Sequence, residues 1–461
     1  MQPWGGTLTI DWDNLESLLG AMVEVGLQSK EIDTYFQQHV VNTVGLDYPS
    51  CALKPIGDVL PELGTAFEDA RRYYQRRWVE VIHSLATSAN DLNRVDQEID
   101  LDLRAYAGGL DSMPDTTISV KVFEPTDLTL DDPAEGEPQL KHDQTWEMTS
   151  AGYDETCDAI NAGIDFINGL GAPGVHLPRL PEKSLEDYIV YPLAGNYRLL
   201  GANADACRHT TTAFRDWSLN FGRLALKTQF CVTGSTADSF TAHVGLYGVV
   251  MRAVGEAVGQ GASVFEAISL TSEKIAVAVE NALVKMATKL TKLAAKLSSK
   301  LSPLGWLVFA KEVVEKGFGA VSDIYDDIMD CKQIIEACFS LVDTIEAWAR
   351  AMRDSLAVME KVRDMVRELP TSDPGGGLGG MPPVDLPRVE RNLGEISLEI
   401  SDSSEQESAL DDELEELEGQ AEEQAEDEEE EDDDGPVIMA PGPLGQPPFV
   451  DGGSTSTPMM A

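Results

Sequence analysis

The chain has 461 residues, 43% of them hydrophobic and 25% charged, and sets 80 Asp and Glu against 34 Lys and Arg for a net charge of −46. That length has room for two or three domains with sizeable cores. A balance so acidic lacks the basic footprint that a phosphate backbone requires, which disfavours nucleic acid as a partner outside one local lysine stripe.

The opening, MQPWGGTLTIDWDN, has no basic n-region and no apolar h-region, so no Sec signal peptide is expected. No stretch reaches the roughly 18–20 apolar residues of a membrane span, and LGWLVFA at Leu304–Ala310 comes closest. The expectation is synthesis in the cytoplasm, with any export by a route that accepts folded helical proteins.

The first patterned block covers 10–107. Asp11 or Asp13 can cap a helix in which Leu15, Leu18, Met22, Val25, Ile32, Phe36 and Val40 recur at helical spacing. Gly45, Pro49 and Pro55 break it. A longer pattern follows from Ile56 through Phe67, Tyr74, Val81, Leu92 and Leu103 to Tyr106, and Gly108–Gly109 ends it. Two helices with a short connection predict an antiparallel hairpin. The segment 108–183 is rich in proline and acids and reads as a linker with partial order. It has an alternating stretch at Thr117–Phe123, which suits a short strand, and a short helix over Thr156–Leu170.

The second patterned block, 184–369, is larger. It has a gap near Thr228–Gly234, a long helical pattern beyond it, a turn at Ser302–Gly305 and a last helix from Trp306 to Leu369. After Pro370 come 26 Asp and Glu against two Arg, with Gly/Pro-rich segments on either side of the acidic peak at Glu426–Asp434. Self-repulsion and scarce apolar residues predict a disordered tail over 370–461, with a transient helix near Ser408–Glu418. The fold class expected is therefore all-α: two elongated helical hairpin or bundle modules joined by a partly ordered linker, with an acidic disordered C-terminal tail.

Catalytic and metal signatures are missing from the sequence. The six histidines form no HExxH and no pair four apart, no G-x-S-x-G is present, and GGGLGG at Gly375–Gly380 follows no strand and opens no helix. The six cysteines contain no C-x-x-C and read as small buried hydrophobes. No enzymatic role, cofactor or metal is expected. Two concentrations of residues point to surfaces instead. Lys285, Lys289, Lys292, Lys296 and Lys300 recur at steps of four and three beside an apolar stripe of Leu283, Met286, Leu290, Leu293, Leu297, Leu301 and Leu304. Such a basic amphipathic helix suits a solvated face, a weak contact with an anionic membrane, an acidic partner, or the protein's own acidic tail folded back to screen it. The run YYQRRW offers Tyr73 and Trp78 for a contact between the hairpins or with a partner helix.

One stretch resembles a known family. In VTGSTADSFTAHV, Val232–Val244, the residues Gly234, Ala237 and Phe240 fall where WXG100-type modules carry the W-x-G-x-A-A-x-x-F turn, although Val232 stands at the Trp position and Thr236 at the first Ala. YIVYPLAGNYRLLGANADACRHTTTAFRDW resembles the first helix of those modules, and the long helices and Gly/Pro-rich tail are similar to the ESX-secretion-associated Esp proteins (the EspA/EspE type) of actinobacteria. The resemblance implies a non-enzymatic factor of a type VII secretion system, a secreted substrate or co-secreted protein acting by helix–helix association. Its partners would be a helical protein, the secretion machinery or a second copy of itself. The family's Tyr-x-x-x-Asp/Glu signal is not matched: Met329 follows Tyr325 at the required spacing and Leu110 follows Tyr106. A partner that supplies the signal, or retention as a cytoplasmic helical scaffold or chaperone-like partner with an acidic solubility tail, are the two ways to accommodate that departure.

Overall fold

The computed structural model describes residues 12–46, 50–96, 125–182, 184–232, 235–302, 305–367 and 404–426, together with Tyr48 and Leu369. It is all-α. Helix α1 (Trp12–Tyr35) runs into a π-helical turn, Phe36–Val40, and α2 spans Lys54–Asp96. Helix α3 is Trp146–Gly169, α4 is Tyr197–Cys231 and α5 is Ser235–Lys300. Four shorter helices follow: α6 (Gly305–Lys316), α7 (Ser322–Ser340), α8 (Val342–Ala357) and α9 (Val362–Arg367). Helix α10 is Ser404–Glu426.

The long antiparallel pair α4–α5 forms the axis of the molecule. Asn196 caps α4 by accepting from the backbone N–H groups of Arg198 and Leu199, satisfying two donors that a helix start leaves open. Close approach of the pair depends on small residues. A side chain at Gly255 would put its Cβ 2.5 Å from the Cβ of Phe214. Gly255 therefore lets the side chain of Phe214 come close to the backbone of α5.

The N-terminal hairpin is not a separate module. Helix α1 lies on α4, and α2 is covered by α8 and α9 from the far end of the chain. The indole N–H groups of Trp78 on α2 and Trp217 on α4 both donate into α1, to the carbonyls of Met22 at 2.7 Å and Val25 at 2.8 Å. The Asn203 amide of α4 donates to the carbonyls of Val40 and Asn42 just past α1, where a helix end leaves acceptors open. Both expected blocks thus contribute to one continuous buried cluster. An amphipathic face has to be covered, but its periodicity does not say by which element.

The expected linker also differs. The strand expected at Thr117–Phe123 lies outside the described residues. Helix α3 packs against α5 with its Ile160, Ile164 and Ile167 buried. Residues 125–142 form an extended strap across α4, antiparallel to it, and side chains take up its backbone polar groups. Asn220 and Gln28 hold Thr126, the Tyr35 hydroxyl donates to the carbonyl of Asp131 at 2.7 Å, and Asp205 accepts from Ala134 N at 2.9 Å. Gly136 N donates to the carbonyl of Arg198, and a Cβ on Gly201 would come 2.7 Å from the Gly136 Cα, so backbone meets backbone there. An extended segment has no internal hydrogen-bond ladder, and these contacts take up several of its backbone groups.

The single helix expected over Trp306–Leu369 is divided by 3-10 turns at Gly317–Ala320 and Val358–Lys361. Gly317 at φ +60° ends the direction of α6. Of the tail, only α10 lies among the described residues. The helix expected near Ser408–Glu418 is present there over the longer span Ser404–Glu426, with Leu410, Leu414, Leu417 and Ala421 buried. All six cysteines are buried and none is in a disulfide. Burial pushes the thiol of Cys338 up to about 12.

One buried group in α5 sets a pH dependence. His243 is 2% exposed, its Nε2 has no hydrogen-bond partner among the described residues, and burial lowers its pKa to about 4. The unfolded chain takes up the proton near pH 6.5, so between pH 6.5 and 4 the unfolded state holds more protons and acid drains stability. Above pH 6.5 the contribution vanishes. Replacement by His243→Leu is expected to remove this slope. Denaturant titrations should show the wild type losing up to about 2–3 kcal/mol relative to the variant between pH 7 and pH 4.

Candidate interaction surface

The lysine stripe of α5 is occupied by the protein itself. Lys289, only 6% exposed in its side chain, pairs with Asp330 of α7 at 2.9 Å, and Lys296 pairs with Asp327 at 2.7 Å. Lys285 reaches Glu422 of α10 at 3.3 Å, and the Lys300 ammonium sits 5.0 Å above the ring of Phe309. Lys292 is engaged as well. The adjoining apolar residues Leu283, Met286, Leu290, Leu293 and Leu297 are buried, Leu301 is half-buried, and Leu304 lies outside the described residues. A membrane or partner reaching these lysines would have to break existing ion pairs.

Helix α10 covers the upstream part of the same face and rests on α5, α8 and the edge of α7. Lys274 donates to Asp411 at 3.0 Å and lies 3.9 Å from Glu407, and the Asn281 amide donates to Glu418 at 3.2 Å. The leucines supply the attraction, about 1.5–3 kcal/mol each when fully buried. The pairs are part-exposed, with Asp411 at 45% and Glu422 at 70%, so each adds only a few tenths of a kcal/mol and chiefly sets position. Intramolecular screening of the basic face by the acidic tail is thus the arrangement present.

Trp78 is no surface residue. It is fully buried between the rings of Phe221 at 5.0 Å and Tyr247 at 5.1 Å. Tyr73 is half-buried, with its hydroxyl accepting from Arg77. The helical turn separates these neighbours onto different faces, which the dense YYQRRW run conceals. Of the turn motif, Gly234 lies outside the described residues and Ala237 is in α5 with its side chain undescribed. Phe240 is 1% exposed, in the core beside the turn.

The sequence reading missed a polar latch. Glu273, almost completely buried on α5, accepts from the backbone N–H groups of Gln139 and Leu140, each at 2.8 Å, and lies 3.3 Å from His142 Nε2. His142 Nδ1 lies 2.8 Å from Glu280, whose pKa is raised by burial against the opposing effect of His142. This cluster fastens the end of the strap to α5. A carboxylate among many carries no signal in the sequence, since the groups it serves are backbone amides about 130 residues away.

An apolar patch is exposed just past the C-terminal end of α5, where Trp306, Leu307, Val308 and Val314 of α6 face outward beside Phe166 of α3. A groove of about 630 Å³ at the start of α2 is lined by Lys54, Asp58, Tyr188, Phe339 and Glu346 among others, with no histidine on its wall. Among the described residues no cluster of three or more His, Cys, Asp or Glu is placed to hold a metal ion, and no helix is long and apolar enough to cross a membrane. Compared with family models, curated proteins and solved structures, the chain matches none.

Proposed function

We propose that this protein acts by helix–helix association, without catalysis, as an Esp-like factor of a type VII secretion system that is exported itself or travels with a helical partner. The observation that carries the reading is the α4–α5 hairpin. Two long antiparallel helices are joined within 231–235, with Phe240 buried beside the turn at the position the WXG100-type motif uses. A glycine-centred turn, close helix approach and an aromatic plug form the physical basis of such modules.

Fractionation of the host tests it. Tagged protein should be found in culture filtrate or at the cell surface when the type VII system is intact and stay in the cells when it is disrupted. Confinement to the cytoplasm in both strains would remove export and leave the helical scaffold.

A further inference from the structure

We infer that the face of α5 and α8 beneath α10 is a docking site for an acidic amphipathic helix of another protein, and that α10 is its resident, displaceable occupant. The inference rests on helix association as the mode of action and is independent of export.

The register identifies the kind of helix the face accepts. Lys274–Asp411, Asn281–Glu418 and Lys285–Glu422 are each separated by 137 residues. A constant offset over eleven residues means that α5 and α10 run parallel and in step. The buried residues of α10, Leu410, Leu414, Leu417 and Ala421, advance by four, three and four, the spacing of a coiled-coil seam, with the charged pairs flanking it. The face therefore selects leucines at that spacing and carboxylates along the edges that meet Lys274 and Lys285. A helix with basic residues at those edges would be repelled.

The occupant is built to leave. Helix α10 has no basic residue, so its acids repel one another along its length, and among the described residues Lys274 and Lys285 of α5 offset them. Gly419 stands within the helix with open space around it, and Ala421 takes a seam position where a leucine would bury more. Both weaken the C-terminal half. Residues 368–403, which include GGGLGG, form a covalent tether from α9 to α10 and so give α10 a high local concentration. A partner helix with a better seam competes against the tether rather than against strong contacts.

The probe is a fluorescent peptide of residues 404–426 carrying Gly419→Ala and Ala421→Leu, titrated onto the purified full chain. Anisotropy should show binding to a Leu410→Asp/Leu414→Asp chain at least about tenfold tighter than to the wild type, since the resident helix no longer competes. Adding Lys274→Glu and Lys285→Glu, which turns two attractions into repulsions, should weaken that binding several-fold. The inference is overturned if the Leu410→Asp/Leu414→Asp chain keeps its cooperative unfolding and does not bind the peptide, or if the lysine changes leave binding intact. If that chain fails to fold, the wild type carrying a dye on α10 is titrated instead. Release of α10 by the peptide supports the inference, and no release up to about 1 mM, the order of local concentration a covalent tether supplies, overturns it. Concentration-dependent dimers of the wild type that require Leu410 and Leu414 would assign the face to a second copy and overturn the heterologous partner.

Discussion

Trp78→Ala is expected to cost about 3–5 kcal/mol of stability, the range for emptying a large aromatic site in a core that cannot collapse around it. Trp78 is fully buried, holds the Met22 carbonyl of α1 and touches Phe221 of α4 and Tyr247 of α5, so one side chain joins four helices. Tyr74 lies in the same cluster with its hydroxyl buried and without a hydrogen-bond partner among the described residues. Tyr74→Phe should therefore be neutral or slightly stabilising, because it deletes an unsatisfied group and leaves the ring. Trp78 and Trp217 both pack on Phe221, so a double-mutant cycle in urea should give a coupling of about 0.5–3 kcal/mol. Strict additivity would mean that the N-terminal hairpin and the α4–α5 pair are independent units.

Glu273→Ala is the second large effect, expected at about 2–4 kcal/mol, because hydrogen bonds to a buried carboxylate are strong and their loss strands two backbone donors of the strap. The effect should be local as well as global. Limited proteolysis should cut within residues 125–142 far faster in the variant, while α4 and α5 keep their helix content. Glu280→Gln, which keeps a carbonyl facing His142, should be the milder change. Equal cleavage of the wild type and Glu273→Ala would show that the strap is held by its other contacts.

The sequence discloses helices better than their neighbours. Periodicity finds α1, α2, α4 and α5 because each alternates a covered and an exposed face over many turns. It does not reveal that α8 and α9 return to cover α2, since an apolar face at Tyr74 or Trp78 looks the same whichever helix covers it. The strap was illegible for a different reason. A stretch such as DDPAEGEP has no period, and its order comes from Asn220, Asp205 and Glu273, residues distant in sequence. For α10, composition and pattern disagree. The acids argue for disorder, while Leu410, Leu414 and Leu417 carry a seam that the lysines of α5 make usable. The lysine stripe was visible from its spacing, but its pairing with Asp327, Asp330 and Glu422 depends on packing.

Hydrogen–deuterium exchange on the full chain tests the central claim most directly, namely that a cooperative helical body carries one exchangeable helix on its working face. The prediction is that amides of α1, α2, α4 and α5 exchange together at the global unfolding free energy, while α10 opens at a much lower one that falls further with salt. Protection of α10 equal to that of α5 and indifferent to salt would make it a permanent part of the core and contradict the account.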